Sequence, residues 1–354
     1  MKISVLNANV GLGKRIKSYG QYRNLFNGNV GNSYITYSLL KRIRRPTQRV
    51  NFQYNNIWED TYDPVSNENI NNSDLAILIL QDHIREGLDG GIFGNASKVI
   101  SDIRIPLVIV SLGVNSVDGK APDEIVKNLG TQQKLFFTLL GQKAHRIGVR
   151  GLASREALRA LGITINVDVI GCPGFFENGN KVLLAKNEWD SEKEIVATGL
   201  FSSKYDLTFI MQDEKEEIDW LLFKQPYYFS RVANYPGWEE SFKRSIASNN
   251  VLFFTSIEKW KKYIINNANI VIGTRVHGAA IAISAGVPAI ITSGDLRSEE
   301  MAEYMHIPYR KGACGLDIDI RREHESYPYA DMEDNYFTKY KIYRRFWKDL
   351  GVTA

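Results

Sequence analysis

The sequence predicts an α/β protein made of two facing, Rossmann-like, doubly wound domains. Three observations carry this reading. Short apolar runs of strand length alternate with helical patterns for most of the 354 residues, as expected for parallel sheets with helices on both faces. The alternation lapses once, in "CPGFFENGNKVLLAKNEWDSEKE" (172–194), and then resumes. A chain of 354 residues is also long enough for two domains of ordinary size.

In the first half the strands are "KISVLNA" (2–8), "LAILIL" (75–80), "PLVIVSLG" (106–113), "RIGVR" (146–150) and "NVDVIG" (166–171), with helices near 31–44, 94–102, 130–143 and 154–161. The last of these carries its own punctuation, with Ser154 as N-cap and Gly162 as stop. The Pro-, Gly- and Asn-rich lapse reads as a linker. The expected domains are 1–178 and 190–310, with a tail over 311–354. In the second half the pattern runs "EIVATGL" (194–200), a charged helix near 213–223, "PYYFSRV" (226–232), "WEESFKRSIAS" (238–248), "NVLFFT" (250–255), "SIEKWKKYIINNA" (256–268), "NIVIGT" (269–274) and "VPAIIT" (287–292). The tail ends in "YFTKYKIYRRFWKDLGV" (336–352), read as a helix basic on one side and aromatic on another. It is expected to pack back on the first domain; docking on an anionic membrane surface is the second reading.

Composition narrows the classes. Hydrophobic content of 44% and charged content of 24% are those of an ordinary globular protein. A net charge of +4 is too weak to argue for nucleic acid. Two cysteines, Cys172 and Cys314, stand far apart, which excludes a disulfide scaffold and suits a reducing, cytoplasmic setting. "MKISVLNANV" is too short an apolar run for a signal peptide, and no window approaches the roughly 20 apolar residues of a membrane-spanning helix. The five histidines form no cluster, so no metal site is expected. "GLGKRIKSYGQYRN" (11–24) lacks G-x-G-x-x-G, which argues against a nicotinamide site; it reads as a basic loop after the first strand. No G-x-S-x-G elbow is present.

Chemistry concentrates in "NIVIGTRVHGAAIAISAGVPAII" (269–291). A strand stops at Gly273 and a helix of small residues begins, with Thr274 as the expected N-cap. Arg275 and His277 then fall in the first turn, where the free amides, including those of Val276 and Gly278, and the helix dipole favour an anion. Arg275 offers a fork for carboxylate or phosphate, and His277 a group that can hold or donate a proton near neutral pH. Arg297 follows a later strand in "GDLRSEEM" and is a further candidate for the same pocket, with Glu300 beside it. Asp82 and His83 follow "LAILIL" and read either as a solvated loop or as cleft residues.

The run "GTRVHGAAIAISAGVPAI" resembles the G-x-R-x-H-G segment of the polysaccharide pyruvyl transferases. Three further stretches are similar to that family: "RIGVRGLASREALRALGI" to its V-R-x-x-x-S segment, "NGNVGNSYITYSLLKRI" to its N-x-G-[DN] loop, and "GDLRSEEMAEYMHIPY" to its post-strand segment. The resemblance implies two facing Rossmann-like domains as in B-type glycosyltransferases. It implies transfer of a carboxyethylidene group from phosphoenolpyruvate to two sugar hydroxyls, giving a cyclic ketal and phosphate, with no cofactor besides that co-substrate. It further implies phosphoenolpyruvate contacts from Arg275, His277 and Arg150, and an acceptor side in the first domain, expected at Asn29, Gly31, Asn32, Asp82 and His83. His277 is the expected general acid for the methylene carbon. The chain departs from the family at Asn32 and at Gly151, where Asp is common in relatives. The expected partners are phosphoenolpyruvate and a saccharide, lipid-linked or not, with peripheral docking at the inner membrane face left open. A nucleotide-sugar glycosyltransferase or epimerase, and a catalytically silent glycan-binding relative, are the alternatives.

Overall fold

The computed structural model describes residues 1–8, 11, 13–26, 28–43, 50–55, 57–58, 64–88, 90–116, 118–181, 184, 188–199, 201–212, 215–224, 237–312 and 315–352. The first half contains strands β1 (Lys2–Leu6), β2 (Asn51–Asn55), β3 (Leu75–Ile79), β4 (Leu107–Leu112), β5 (Ala144–Val149) and β6 (Val167–Val169). Its helices are α1 (Tyr19–Phe26), α2 (Val30–Ile43), α3 (Pro64–Asn71), α4 (Gly90–Ser101), α5 (Pro122–Lys127), α6 (Thr131–Lys143) and α7 (Leu152–Ala160). The second half contains β7 (Glu194–Thr198), β8 (Leu207–Met211), β9 (Val251–Phe253), β10 (Ala268–Gly273), β11 (Ala289–Ser293) and β12 (Tyr309–Lys311). Around them lie α8 (Lys215–Phe223), α9 (Trp238–Ala247), α10 (Ile257–Asn267), α11 (Val276–Ser284) and α12 (Leu296–Met305), followed by α13 (Ile320–Glu325) and α14 (Tyr329–Lys348).

Among the described residues the strands form two six-stranded sheets, ordered β2-β1-β3-β4-β5-β6 and β12-β11-β10-β7-β8-β9, with every pairing parallel. The expected two-sheet α/β architecture is therefore present. Parallel sheets covered on both faces need strands apolar on both sides, and β3, β4, β8, β10 and β11 are buried along their whole length. Alternate residues of the first sheet separate into two cores: Ile77 and Val108 face one way, Leu78 and Ile109 the other. The first of these cores continues into the second sheet through Phe175 and Phe176.

Sequence periodicity located the long central strands. It missed β2, β12, α1, α3, α5 and α13, which are short or polar, and also β8, whose five residues are all buried. The expected strand at 226–232 lies outside the described residues. The segment read as a linker begins differently: Pro173–Phe176 form a buried 3-10 turn. Directly after it, Glu177 accepts hydrogen bonds from Tyr34 at 2.7 Å and from Lys41 at 2.6 Å, and pairs with Lys261 of the second half at 3.0 Å. A carboxylate buried this deeply requires such partners, and together they make the junction a packed seam.

Helix α14 places Tyr336, Tyr340, Tyr343 and Trp347 on one buried stripe, the spacing of a helix face against a core. Tyr336 donates to the Gly179 carbonyl at 2.8 Å, Arg42 donates to Tyr340 at 2.9 Å, and Arg146 of β5 lies 4.9 Å from the Phe346 ring centroid. The aromatic face that could enter a membrane surface is thus engaged within the molecule. Among the described residues no helix is long and apolar enough to cross a membrane.

Candidate functional site

In open parallel sheets, ligands bind beyond the carboxyl ends of the strands where the strand order reverses. Here the reversals lie between β1 and β3, and between β7 and β10. Asp82 and His83 follow the first, and the start of α11 follows the second. Arg297 of the second half reaches Asp82 there.

Helix α11 begins one residue later than expected: Arg275, not Thr274, is the N-cap. Its backbone is extended and its amide donates to the Thr198 carbonyl at 3.3 Å. Val276, His277 and Gly278 are the first three helical residues, and the Arg275 side chain makes no capping hydrogen bond to them, so that side chain does not offset the positive end of the dipole. Gly278 packs against Thr198, drawing the helix onto β7.

Arg150 directly follows β5 and is 1% exposed. Its backbone amide donates to Leu112, its Nε donates to Ser111 Oγ at 3.2 Å, and its Nη2 is buried without a hydrogen-bond partner among the described residues. A buried guanidinium donor left unmatched is costly, so this atom is the clearest sign that the cleft is shaped for an acceptor. Arg297, at the start of α12, contacts Asp82 at 3.3 Å and Asp295 at 3.2 Å. Asp82 also accepts from Asn115 at 3.3 Å. Burial by itself would raise the Asp82 carboxyl, but Arg297 foremost, with Arg150 and Arg85, holds it well below the usual carboxylate range.

His277 sits among these charges. Burial first, then Arg150 and Arg297, push it well below 6.5, with Asp82 opposing. In the unliganded protein it is therefore a neutral imidazole. Arg275 is placed differently: its side chain stands over Gly199 at the end of β7, and the arginines acting on His277 are Arg150 and Arg297. Arg150 and Arg297 are thus the arginines whose charge acts on His277, while Arg275 stands at the end of β7.

The loop Asn29–Asn32 meets the second half of the molecule. Asn29 Oδ1 accepts the Gly31 amide at 2.7 Å, and the Asn32 amide donates to the Asn29 carbonyl at 3.1 Å. The Val30 amide donates to the Gln212 carbonyl at 3.1 Å and to Tyr22 Oη at 3.0 Å. The first amides of α2 are thus satisfied within the protein. A Cβ at Gly31 would collide with Gln212 and crowd His277, so this glycine permits the close approach of the two halves. His83 stacks on Trp58 with ring centroids 4.9 Å apart, and its Nδ1 accepts the Gln81 amide at 3.0 Å. Burial lowers it to about 4, so it too is neutral.

Sequence reading placed Ser154 as an N-cap, whereas α7 starts at Leu152 and Ser154 is its third residue. The acid that serves this turn comes from the other half: Glu300 of α12 accepts the Ser154 amide at 2.6 Å and the Ser154 hydroxyl at 2.7 Å. A Cβ at Gly151 would run into the Glu300 side chain. The Glu300 carboxylate thus fills the space beside Gly151. Burial raises Glu300 to about 7 despite its bonds to Ser154. A cavity of about 510 Å³ opens beside it between α7, α12 and α14. Ser111, Cys172 and Gln212 were missed as site neighbours, for no motif marks them.

The sequence profile of the polysaccharide pyruvyl transferase family matches residues 29–295, a span that includes Arg150, Arg275 and His277 and ends before Arg297 and Glu300. No curated protein matches the chain. Among solved structures, the chain is similar to a UDP-N-acetylglucosamine 2-epimerase at 10% identity, covering 99% of this chain and 94% of that one, with a TM-score of 0.51. It is also similar to S. aureus MnaA solved with UDP, at 10% identity and 99% and 97% coverage, with a TM-score of 0.49. Anabaena Alr3699/HepE in complex with UDP and glucose matches at 11% identity and 99% coverage of each chain, also with a TM-score of 0.49. At such identities the likeness concerns the fold, that of B-type glycosyltransferases.

Proposed function

The chain belongs to the polysaccharide pyruvyl transferase family, and on that premise we propose that it transfers a carboxyethylidene group from phosphoenolpyruvate to two hydroxyls of a saccharide. The products are a cyclic ketal and phosphate. The observation that carries the donor assignment is the buried, unmatched Nη2 of Arg150 beside His277 and Arg297. A doubly anionic donor needs cations placed apart, and two arginines from opposite halves meet that need. The amides of Val276, His277 and Gly278 add an anion-binding helix terminus, with Thr274 and Arg275 at its entrance. Asp82 and His83, from the first half, stand on the acceptor side.

His277 is neutral without ligand, so it acts as an acid only after gaining a proton. The donor's negative charge opposes Arg150 and Arg297 and restores the imidazolium. Its proton passes to the methylene carbon, leaving an oxocarbenium-like centre at C2. One sugar hydroxyl adds there; the C2–O bond to phosphate then breaks with the arginines holding the departing charge. The second hydroxyl closes the ketal. Two hydroxyl protons are released, replacing the one given to carbon and accompanying phosphate.

Thermal unfolding tests this reading. Phosphoenolpyruvate should raise the midpoint by several degrees beyond inorganic phosphate, since a ligand at about 100 times its Kd adds roughly 2.7 kcal/mol. The gain should vanish in Arg150→Met. Stabilisation by UDP-sugars alone would replace this reading with a nucleotide-sugar enzyme.

A further inference from the structure

Two side chains link Arg150 to His277 beneath the cleft. Arg150 Nε donates to Ser111 Oγ at 3.2 Å, Ser111 Oγ donates to Cys172 Sγ at 3.4 Å, and Cys172 Sγ lies 3.8 Å from His277 Nε2. Arg150, Ser111 and Cys172 are all buried, so protein groups alone orient one another. Ser111 has a φ of 63° inside β4, a left-handed backbone that a non-glycine residue adopts only when its surroundings impose it.

The chemistry of the ends gives the chain a direction. A guanidinium has donors only, so Ser111 Oγ accepts from Arg150 and its own hydrogen turns to Cys172. With Sγ accepting that hydrogen, the thiol hydrogen is left for His277 Nε2. A neutral imidazole has one donor and one acceptor nitrogen. If Nε2 accepts, the proton resides on Nδ1, which has no hydrogen-bond partner among the described residues.

We propose that Cys172 is a positioning residue that carries the donor polarity of Arg150 to His277 Nε2 and so holds the imidazole as its Nδ1–H tautomer, with that N–H left for the bound ligand. Its use in catalysis rests on the donor reading given above, but the tautomer is readable without any ligand. The groups that face His277 are Arg150 beyond β5, Arg297 of α12, Asp82 after β3, Cys172 after β6, and the backbone of Gly31 in α2. Of these, Cys172 alone makes a hydrogen bond to the ring among the described residues.

Long-range ¹H–¹⁵N NMR of the unliganded protein at mildly alkaline pH reads the tautomer, with the His277 signals assigned from His277→Gln. Wild type and Cys172→Ser should both show the Nδ1–H pattern. Cys172→Ala should show the Nε2–H pattern or an average of the two. Ser111→Ala keeps the thiol but removes what orients it, and should move the pattern in the same direction; it serves if Cys172→Ala does not fold. An Nε2–H wild type, or Nδ1–H retained in both alanine variants, overturns the proposal. A cysteine that merely fills space would change the unfolding midpoint and leave the tautomer alone. An Nδ1–H pattern in a protein that ignores phosphoenolpyruvate would uphold the relay and refute the pyruvyl donor.

Discussion

Glu300 crosses from the second half of the molecule to Ser154 in the first turn of α7, accepting its amide at 2.6 Å and its hydroxyl at 2.7 Å. The same side chain occupies the space that a Cβ at Gly151 would need. Helix capping and the seam between the halves are therefore one interaction.

That carboxyl makes stability depend on pH. Its native value of about 7 lies above the usual 4.5, so the folded state holds its proton more tightly than the unfolded chain. Stability should fall as pH rises from about 4.5 to 7, by on the order of 3 kcal/mol. Glu300→Gln keeps an acceptor for the Ser154 amide and removes the titration. Melting curves across this range should be flatter for the variant; equal slopes would mean that the carboxyl titrates normally.

Moving the acid back to the first half tests the exchange between positions 151 and 300. Gly151→Asp should destabilise by about 1–3 kcal/mol through crowding and charge repulsion. Glu300→Ala should lose a similar amount by leaving the Ser154 donor unmatched. The double variant should be more stable than the sum of the two losses. Strict additivity in denaturant unfolding would show that the sites are independent.

Binding of phosphoenolpyruvate should be accompanied by proton uptake. His277 is pushed well below 6.5 by burial, Arg150 and Arg297, and an anion between those arginines reverses part of that push. Affinity should therefore decline as pH rises through the liganded value. Calorimetry in buffers of different ionisation enthalpy should show up to one proton taken up by wild type and less by His277→Gln. Heats independent of buffer would remove the imidazole from the donor site.

Asp82→Asn should cost about 1–3 kcal/mol at neutral pH, because it takes a charge-assisted partner from Arg297. The Asp82 carboxyl is depressed in the folded state, so its contribution is present at neutral pH and is lost as pH falls below about 4. Acid unfolding should accordingly be shallower in the variant than in wild type.

Much of this molecule was legible in the chain. The long apolar runs of β3, β4, β10 and β11 read as buried parallel strands because that signal is local and periodic, whereas Arg-x-His after a strand read as an anion site on residue chemistry alone. The caps, the partner of Arg150 and the neighbours of His277 were not legible. Thr274 and Ser154 were plausible caps by residue type, and the backbone chose otherwise once β7 and Glu300 were brought near. That Arg297 acts on His277 beside Arg150 was not legible either, because side-chain direction is set by packing and leaves no trace in spacing. Sequence determined which elements form and which residues carry charge, for hydrophobic period and residue chemistry act over a few positions. Only the tertiary structure decided which charges face each other, because burial and the pairing of groups some 150 residues apart exist only after the two halves close.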